Sequence, residues 1–449
     1  MSESPITVAG AGLVGSLLSI YLARRGFEIE MIERRADMRT NRISAGRSIN
    51  LAISVRGIHA LERLGLAQEI LTHAVPMRGR MMHSPSGELT FQRYGKDDSE
   101  CIHSISRGTL NQVLMTRAEE TGRVRIRFQQ EFDGESKPRA SSAAAAPIVF
   151  GTDGAGSAVR RDLVARGITR ETEDRLDYGY KELTLAAGPG GKHRFEPHAL
   201  HIWPRGTFML IALPNFDGSF TCTLFLPHTS TAQTQGFDLL TEPAQVRGLF
   251  QKHFADALEQ IPDLEEQFFG NPTGHMVTIK CGPWNDGGQT LLLGDAAHAI
   301  VPFFGQGMNC GFEDVTFLDQ LMEKHGDDWS RIFPAFSEAR KPQADAIADM
   351  AVENFIEMRD KVGQPAFLLQ KEVEKRLQAR FENRYRSRYS LVTFSRQPYR
   401  VAFDAGLIGD RILAELCRGI RSADELDYAR AEKLIDSQMK PFLQKHLGT

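Results

Sequence analysis

Cysteine is scarce in this 449-residue chain: Cys101, Cys222, Cys281, Cys310 and Cys417 are scattered, odd in number and form no C-x-x-C pair. That spacing gives no disulfide framework and predicts buried thiols in a reducing compartment. Long apolar runs are missing too. No window reaches the ~18 consecutive apolar residues of a membrane span, and the tail KPFLQKHLGT is polar. The N-terminus MSESPITV carries an acid and no basic region, so it reads as a first strand and not a signal peptide, and the chain is expected to be soluble and cytoplasmic. A net charge of −3 leaves no excess of one sign to draw a polyanion, which argues against a nucleic-acid partner. No Ser-His-Asp or H-E-x-x-H constellation is evident. Neither a side chain acting as catalytic acid or base nor a metal site is therefore expected, and the 13 histidines, His298 included, are expected to be structural.

What is present is an ordinary globular composition, 41% hydrophobic and 25% charged, long enough for two or three domains of about 150 residues each. The most informative stretch runs from Ile6 to Arg35. A β-branched run leads into Gly10-Ala11-Gly12-Leu13-Val14-Gly15, an apolar helix-period segment follows to Arg25, Gly26 closes it, and a second strand-like run ends at Glu33. Gly10 permits the tight turn, Gly12 lets a pyrophosphate approach the backbone, and Gly15 lets helix and strand pack closely. The helix start then faces the phosphates. Glu33 is placed to accept hydrogen bonds from a ribose diol, an inference that Arg34 and Arg35 blur. The pattern predicts a dinucleotide site, for NAD or FAD.

Further along, Ser54 can cap a helix carrying Ile58, Leu61 and Leu64, with Gly65 to stop it. Arg47 and Ser48 precede it, as a cofactor contact or as a solvated loop. From Val75 to Cys101 short alternating strands suggest an excursion into a second, antiparallel domain, with Arg80 and Tyr94 on neighbouring strands. They either line a site or simply face solvent. Ser106-Arg107 opens a helix through Glu120, and the segment 133–147 reads as a connector without a functional account. Asp153-Gly154, after a strand, is either a plain turn or a cofactor contact. Tyr178 to Thr278 reads as a twisted antiparallel sheet in which Leu213, Leu224 and Phe225 either line an aromatic pocket or form plain core.

The second informative stretch is TLLLGDAAHAIVPFFGQGMNCGFED, Thr290 to Asp314. A strand ends at Gly294-Asp295, and a loop with Pro302, Phe303, Phe304, Gly305, Gln306 and Gly307 starts a helix near Met308. Asp295 can hold hydroxyls of a ribityl chain, and the free N–H groups of the new helix can stabilise negative charge on a flavin N1–C2=O edge. That second arrangement has no use in a nicotinamide site, and it selects FAD.

On these motifs, GAGLVG with Glu33, Asp153-Gly154, and Gly294-Asp295 with Pro302, the chain resembles the FAD-dependent aromatic hydroxylases over nearly its whole length. RSINLAIS (47–54), MRGRMMH (77–83), YGKDDSE (94–100), ENFIEMR (353–359) and RYSLVTFSR (388–396) narrow the resemblance to members acting on L-kynurenine. The resemblance implies an α/β fold: a Rossmann-like FAD-binding domain in three parts (1–74, 102–177, 281–324), an inserted antiparallel-sheet substrate domain (75–101, 178–280) and a C-terminal helical region (325–449). It implies FAD held by Gly10, Gly12, Leu13, Val14, Gly15, Glu33, Arg34, Arg47, Arg107, Asp153, Asp295, Pro302, Gly305, Gly307, Met308 and Asn309. Substrate would meet Arg80, Tyr94, Asn354, Tyr389, Phe225, Pro302 and Phe303. NADPH would be the reductant and O2 the co-substrate, through a C4a-hydroperoxide, and the assembly stays open between a single chain and a homodimer. After Asp314 the apolar spacing predicts helices over 330–340, 344–359, 366–380, 411–418 and 423–439, a bundle that either merely covers the core or, as Asn354 and Tyr389 suggest, also closes the substrate pocket. The run Arg384 to Arg388 is expected on solvated surface or at the NADPH phosphate. Two other readings remain open: a hydroxylase of another aromatic acid, and a non-catalytic FAD-binding protein.

Overall fold

The computed structural model describes residues 6–40, 50–95, 97–133, 147–358 and 364–447, so that Arg47, Ser48 and nearly all of the connector 133–147 lie outside the described residues. Three sheets organise the chain. The first contains β1 (Ile6–Ala9), β2 (Ile29–Glu33), β8 (Val124–Phe128), β9 (Val149–Gly151) and β15 (Thr290–Leu292), all parallel, in the order β15-β9-β1-β2-β8. Gly151 lies opposite both Ala9 and Leu292. Three strands therefore end level, and the turns that follow them share one edge, where α/β sheets bind their ligands.

Helices cover this sheet because its strands are apolar on both faces. α1 (Leu13–Arg24) packs against α4 (Arg107–Glu120) and α10 (Gly307–His325), while α5 (Ala158–Ala165) and α9 (Asp295–His298) follow β9 and β15. α2 (Val55–Glu62) and α3 (Ala67–Leu71) lead to a small sheet of β3 (Asn50–Ile53), β7 (Ile102–Ser106) and β4 (Val75–Met77). Ser54 does stand at the start of α2, but its hydroxyl makes no cap; its backbone N–H donates to Asn309 Oδ1 at 2.9 Å instead.

The third sheet holds β5 (Gly79–His83), β6 (Leu89–Arg93), β10 (Arg170–Leu185), β11 (Ala199–Pro204), β12 (Met209–Pro214), β13 (Phe220–Pro227) and β14 (Thr273–Gly282). Their order is β14-β10-β13-β12-β11-β5-β6, antiparallel throughout except for the parallel pair β11–β5. Its back is covered by three helices that the strand-rich reading of 178–278 missed: α6 (Pro243–His253), α7 (Ala255–Leu258) and α8 (Leu264–Gly270). The signal was present, a Glu242/Gln245 capping box with Pro243 in the first turn, followed by Val246, Leu249 and Phe250 at helical spacing. Strand alternation sends Leu224 into this back core with Leu183 and Phe250, so that of the two readings open for it, pocket lining or plain core, the second holds. Phe225 faces the other way, towards Phe303 and Phe355.

Strand β5 is pinned to this back layer by a histidine pair. His83 meets Asp256 at 2.6 Å and His201 at 2.8 Å, and His201 reaches the Glu196 carbonyl at 2.9 Å. Burial keeps the His201 imidazole well below its ordinary range, at about 4.

The C-terminal region contains α11 (Trp329–Ile356), α12 (Pro365–Arg380), α13 (Arg388–Thr393), α14 (Tyr399–Leu416), α15 (Tyr428–Leu434) and α16 (Lys440–Leu447). Helix α11 runs through Pro334, which lies within the expected helix 330–340, and through Pro342, where sequence spacing predicts a break; packing against α10 and α14 overrides the lost backbone hydrogen bonds. The Arg384–Arg388 run is not merely solvated. Arg384 pairs with Glu432 and Asp436, and Arg388 pairs with Glu353 and Asp410. Cys222, Cys281 and Cys310 are buried as expected, whereas Cys101 and Cys417 are only half-buried. Among the described residues no helix is long and apolar enough to cross a membrane.

Phe250 is fully buried between sheet and helices. Phe250→Ala is expected to cost about 3–5 kcal/mol of stability, read as a lower urea midpoint; an unmoved midpoint would show that the helices do not depend on this core.

Candidate functional site

Two strand-to-helix junctions converge at the carboxyl edge of the parallel sheet. A Cβ added to Gly10, whose φ is +94°, would lie 2.7 Å from the Thr152 carbonyl, and one on Gly15 would lie 2.1 Å from the Gly10 carbonyl. A Cβ on Gly12 would meet nothing within 4 Å. The first two positions are closed by the protein itself, and the third opens on space at the start of α1, as a pyrophosphate cradle requires. Val14 is the hinge of the convergence: a Cβ on Gly294 or on Gly311 would come within 2.9 Å or 2.6 Å of its side chain. The turn after β1, the turn after β15 and the first residues of α10 thus touch through one valine, with Leu13 buried beside it.

Around that edge the acids take different parts. Glu33 ends β2, with Oε2 accepting from the Ala11 N–H at 2.9 Å and Oε1 accepting from the Arg35 backbone and guanidinium at 3.0 and 2.8 Å. Burial alone would raise its pKa, but these bonds outweigh it and keep the carboxylate ionised. Arg34 points into solvent. Asp153 caps α5, Oδ2 accepting from the Ala158 and Val159 N–H groups at 2.7 and 3.3 Å, while its buried Oδ1 has no protein partner. Asp295 is exposed between buried neighbours, and a Cβ on Gly307 would stand 3.9 Å from its Oδ1. Gly307, Met308 and Asn309 form the first turn of α10, whose N–H groups have no helical acceptor. The Asn309 side chain is committed elsewhere: its amide donates to the Ala52 and Gly305 carbonyls at 2.8 and 2.9 Å and shapes the loop in which Gly305 sits at φ +64°. Arg107 opens α4 with an exposed side chain. A long anionic group with a hydroxylated chain fits these donors.

Beside this edge lies an aromatic pocket. Arg80 on β5 stands 5.5 Å from the Tyr94 ring centre and 5.3 Å from that of Tyr389, and the two rings stack 5.5 Å apart. Burial opposes the guanidinium charge, but the phenol oxygens that accept from it more than compensate. Its Nε–H is buried without a partner. Tyr389 stacks on Phe304 at 5.9 Å, and Phe303 lies 4.9 Å from Phe225 and 4.5 Å from Phe355. Asn354 on α11 donates to the Phe303 carbonyl at 2.6 Å, tying that helix to the Pro302–Phe304 turn. Tyr94, Tyr389, Asn354, Phe225, Phe303 and the exposed Pro302, far apart in the chain, are thus neighbours in space.

Comparison with known proteins agrees with this geometry. Residues 3–351 match the FAD binding domain family. The chain is 56% identical to kynurenine 3-monooxygenase of Myxococcus xanthus, covering 99% of this chain and 98% of that protein. The enzyme of the same name from Flavobacterium psychrophilum is 43% identical over 92% of this chain and 93% of its own length. The chain belongs to the kynurenine 3-monooxygenase family. It is a flavoprotein monooxygenase with an FAD-binding domain, a large mainly antiparallel sheet and a helical C-terminal region. Among solved structures, 2-methyl-3-hydroxypyridine-5-carboxylic acid oxygenase shares the fold with a TM-score of 0.65 at 19% identity, over 82% of this chain and 96% of that one. PqsL of Pseudomonas aeruginosa does so at 0.59 and 18%, over 79% and 96%.

Two features of this flavoprotein escaped sequence reasoning. The first is a buried ion cluster behind α10. Asp314 accepts from His298 Nε2 at 2.6 Å, from the Gly294 N–H at 3.0 Å and from Arg340 at 2.9 Å; Glu313 pairs with Arg340 at 2.7 Å and with Arg56. Arg56 also donates to the Val392 and Gln397 carbonyls and lies over Tyr399, whose hydroxyl donates to Gln306 at 2.9 Å. His298, Cys310 and Asp314 offer ligand atoms within 4.8 Å of one another, but the Arg340 guanidinium already fills that space. The sequence hint was a pair of adjacent acids within an apolar turn of α10, FEDV at 312–315. The second is Glu182. Strand alternation from Tyr180 puts it on the pocket-facing side of β10, and it acts electrostatically on Arg107. Burial pushes its pKa up to about 7, against the pull of Arg107.

Gly12→Leu is expected to fold, since its surroundings are open, yet to weaken FAD retention by at least about tenfold, or roughly 1.4 kcal/mol; unchanged affinity in a fluorescence titration would remove Gly12 from the cradle. Glu182 binds its proton more tightly folded than unfolded, so its contribution to stability is complete below the unfolded carboxylate range and is lost as pH rises through about 7. Glu182→Gln should therefore gain melting temperature on the wild type between pH 5 and 8, and a constant difference would contradict the assignment.

Proposed function

We propose that this monooxygenase hydroxylates L-kynurenine at ring position 3, giving 3-hydroxykynurenine, with NADPH as reductant and O2 as co-substrate. One observation carries the reading: a half-buried arginine, Arg80, set beside two stacked tyrosines, with a buried, unpartnered Nε–H and, among the described residues, no carboxylate beside it. Such a group calls for an anionic ligand, and a planar guanidinium takes a carboxylate as a two-pronged fork. The amino-acid end of kynurenine supplies one.

Gly12, Glu33, Arg107 and Asp295 hold FAD in this reading, with the first turn of α10 at its N1–C2=O edge. When bound, FAD supplies the electrophilic oxygen after reduction by NADPH and reaction with O2. The remaining work belongs to the chain. Arg80 fixes the substrate carboxylate, Tyr94, Tyr389 and Asn354 complete the polar end, and Phe225 and Phe303 flank the aromatic ring. The substrate's own aniline nitrogen pushes electron density onto the ortho carbon that is attacked, so no enzymic base is needed. Positioning and exclusion of water suffice.

Arg80→Ala removes one partner of a buried charge pair, a loss of roughly 2 kcal/mol or more. The KM for L-kynurenine is expected to rise at least about 30-fold with FAD content unchanged. Wild-type KM in the variant, or no 3-hydroxykynurenine from the wild type with NADPH, would end the proposal.

A further inference from the structure

The ion cluster behind α10 has an unbalanced charge. Glu313 and Asp314 are matched by Arg56 and Arg340, two carboxylates against two guanidiniums. His298 is the fifth member. Its Nε2 must donate to Asp314, whose other hydrogen bonds, from Gly294 and Arg340, already require it to be a carboxylate. Burial opposes a charge on His298, but Asp314 prevails and holds the ring protonated. These five side chains therefore carry one positive charge beyond neutrality, with His298, Asp314, Arg56 and Arg340 buried and Glu313 partly exposed.

Its location gives that charge a use. His298 ends α9, the short helix that begins at Asp295, and its backbone N–H donates to the Gly294 carbonyl at 2.9 Å. Its Nδ1 lies 3.9 Å from Sγ of Cys310, the fourth residue of α10. The ring thus stands directly under the helix turn whose free N–H groups face the cofactor edge. Its field adds to that of the helix dipole, with little solvent between to screen either.

We propose that His298 is an electrostatic determinant of the flavin's redox behaviour, its buried charge favouring the reduced cofactor, which is negative at N1–C2=O, over the oxidised one. Two-electron reduction with uptake of a single proton adds one negative charge at that edge, and a fixed cation behind it lowers the energy of that form alone. The inference rests on the FAD reading above. His298 touches neither cofactor nor substrate and acts through the field at α10.

The test uses the sign of charge, which a packing role does not follow. In the FAD-loaded full chain, His298→Gln keeps a donor to Asp314 and removes the cation; reduced FAD should then bind about tenfold more weakly relative to oxidised FAD, a midpoint potential lower by about 30 mV for a two-electron couple. Glu313→Gln leaves the two arginines less neutralised and should move the potential up. Shifts in the same direction, or none, overturn the proposal. Should one variant fail to fold, the sign of the other decides. A wild-type chain that takes up no FAD would refute the flavin reading and this inference together, whereas bound FAD with unmoved potentials would refute the inference alone.

Discussion

The close approach of backbone to backbone at the carboxyl edge of the parallel sheet governs the rest of this molecule. Gly10 and Gly15 stand where a Cβ would collide with a backbone carbonyl of a neighbouring turn, and Gly294 and Gly311 where one would collide with the Val14 side chain that fills the space between. Packing of this density leaves two helix N-termini, those of α1 and α10, open on the same side of the sheet. Helix starts concentrate unsatisfied N–H groups and positive potential, so the crowding that closes the protein around Gly10 and Gly15 also creates a place that only a long anionic group can complete.

The pocket beside it is built on a different principle. The front face of the substrate sheet, the Pro302–Phe304 turn and helices α11 and α13 supply aromatic rings from four separate parts of the chain. Rings alone would bind any flat apolar molecule. Arg80, half-buried beside the stacked Tyr94 and Tyr389, adds a charged group whose buried Nε–H has no hydrogen-bond partner, an arrangement that is costly in itself.

Cofactor edge and substrate pocket are joined through Glu313 and Asp314. By way of Arg340 they hold α11, which carries Asn354; by way of Arg56 they hold the segment 392–397 that follows Tyr389; and Asp314 itself holds Gly294. Buried ion pairs add little net stability compared with apolar packing, but they tolerate few alternative geometries. A cluster of this kind suits an enzyme whose task is to keep two bound molecules in a fixed relation.

Local sequence determined a good deal by itself. The strand, glycine turn, helix and Glu33 of the first unit, and the strand, Gly294-Asp295 and helix of the second, are encoded within a few residues of one another, because turns and helix starts depend on backbone sterics and nearest neighbours. Alternation also marked the substrate sheet. Tertiary structure alone decided which side of that sheet is covered by α6, α7 and α8, and so that Leu224 lies in the back core while Phe225 and Glu182 lie on the opposite face; a period of two gives two faces but does not say which is covered by what. It decided as well that α11 continues through Pro342, that Arg388 is held by Glu353 and Asp410, and that Arg56, His298, Glu313, Asp314 and Arg340 meet. Those partners are separated by as many as 284 positions (340 − 56). Charges at such separations carry no local signature, since what brings them together is the burial of apolar surface elsewhere in the chain.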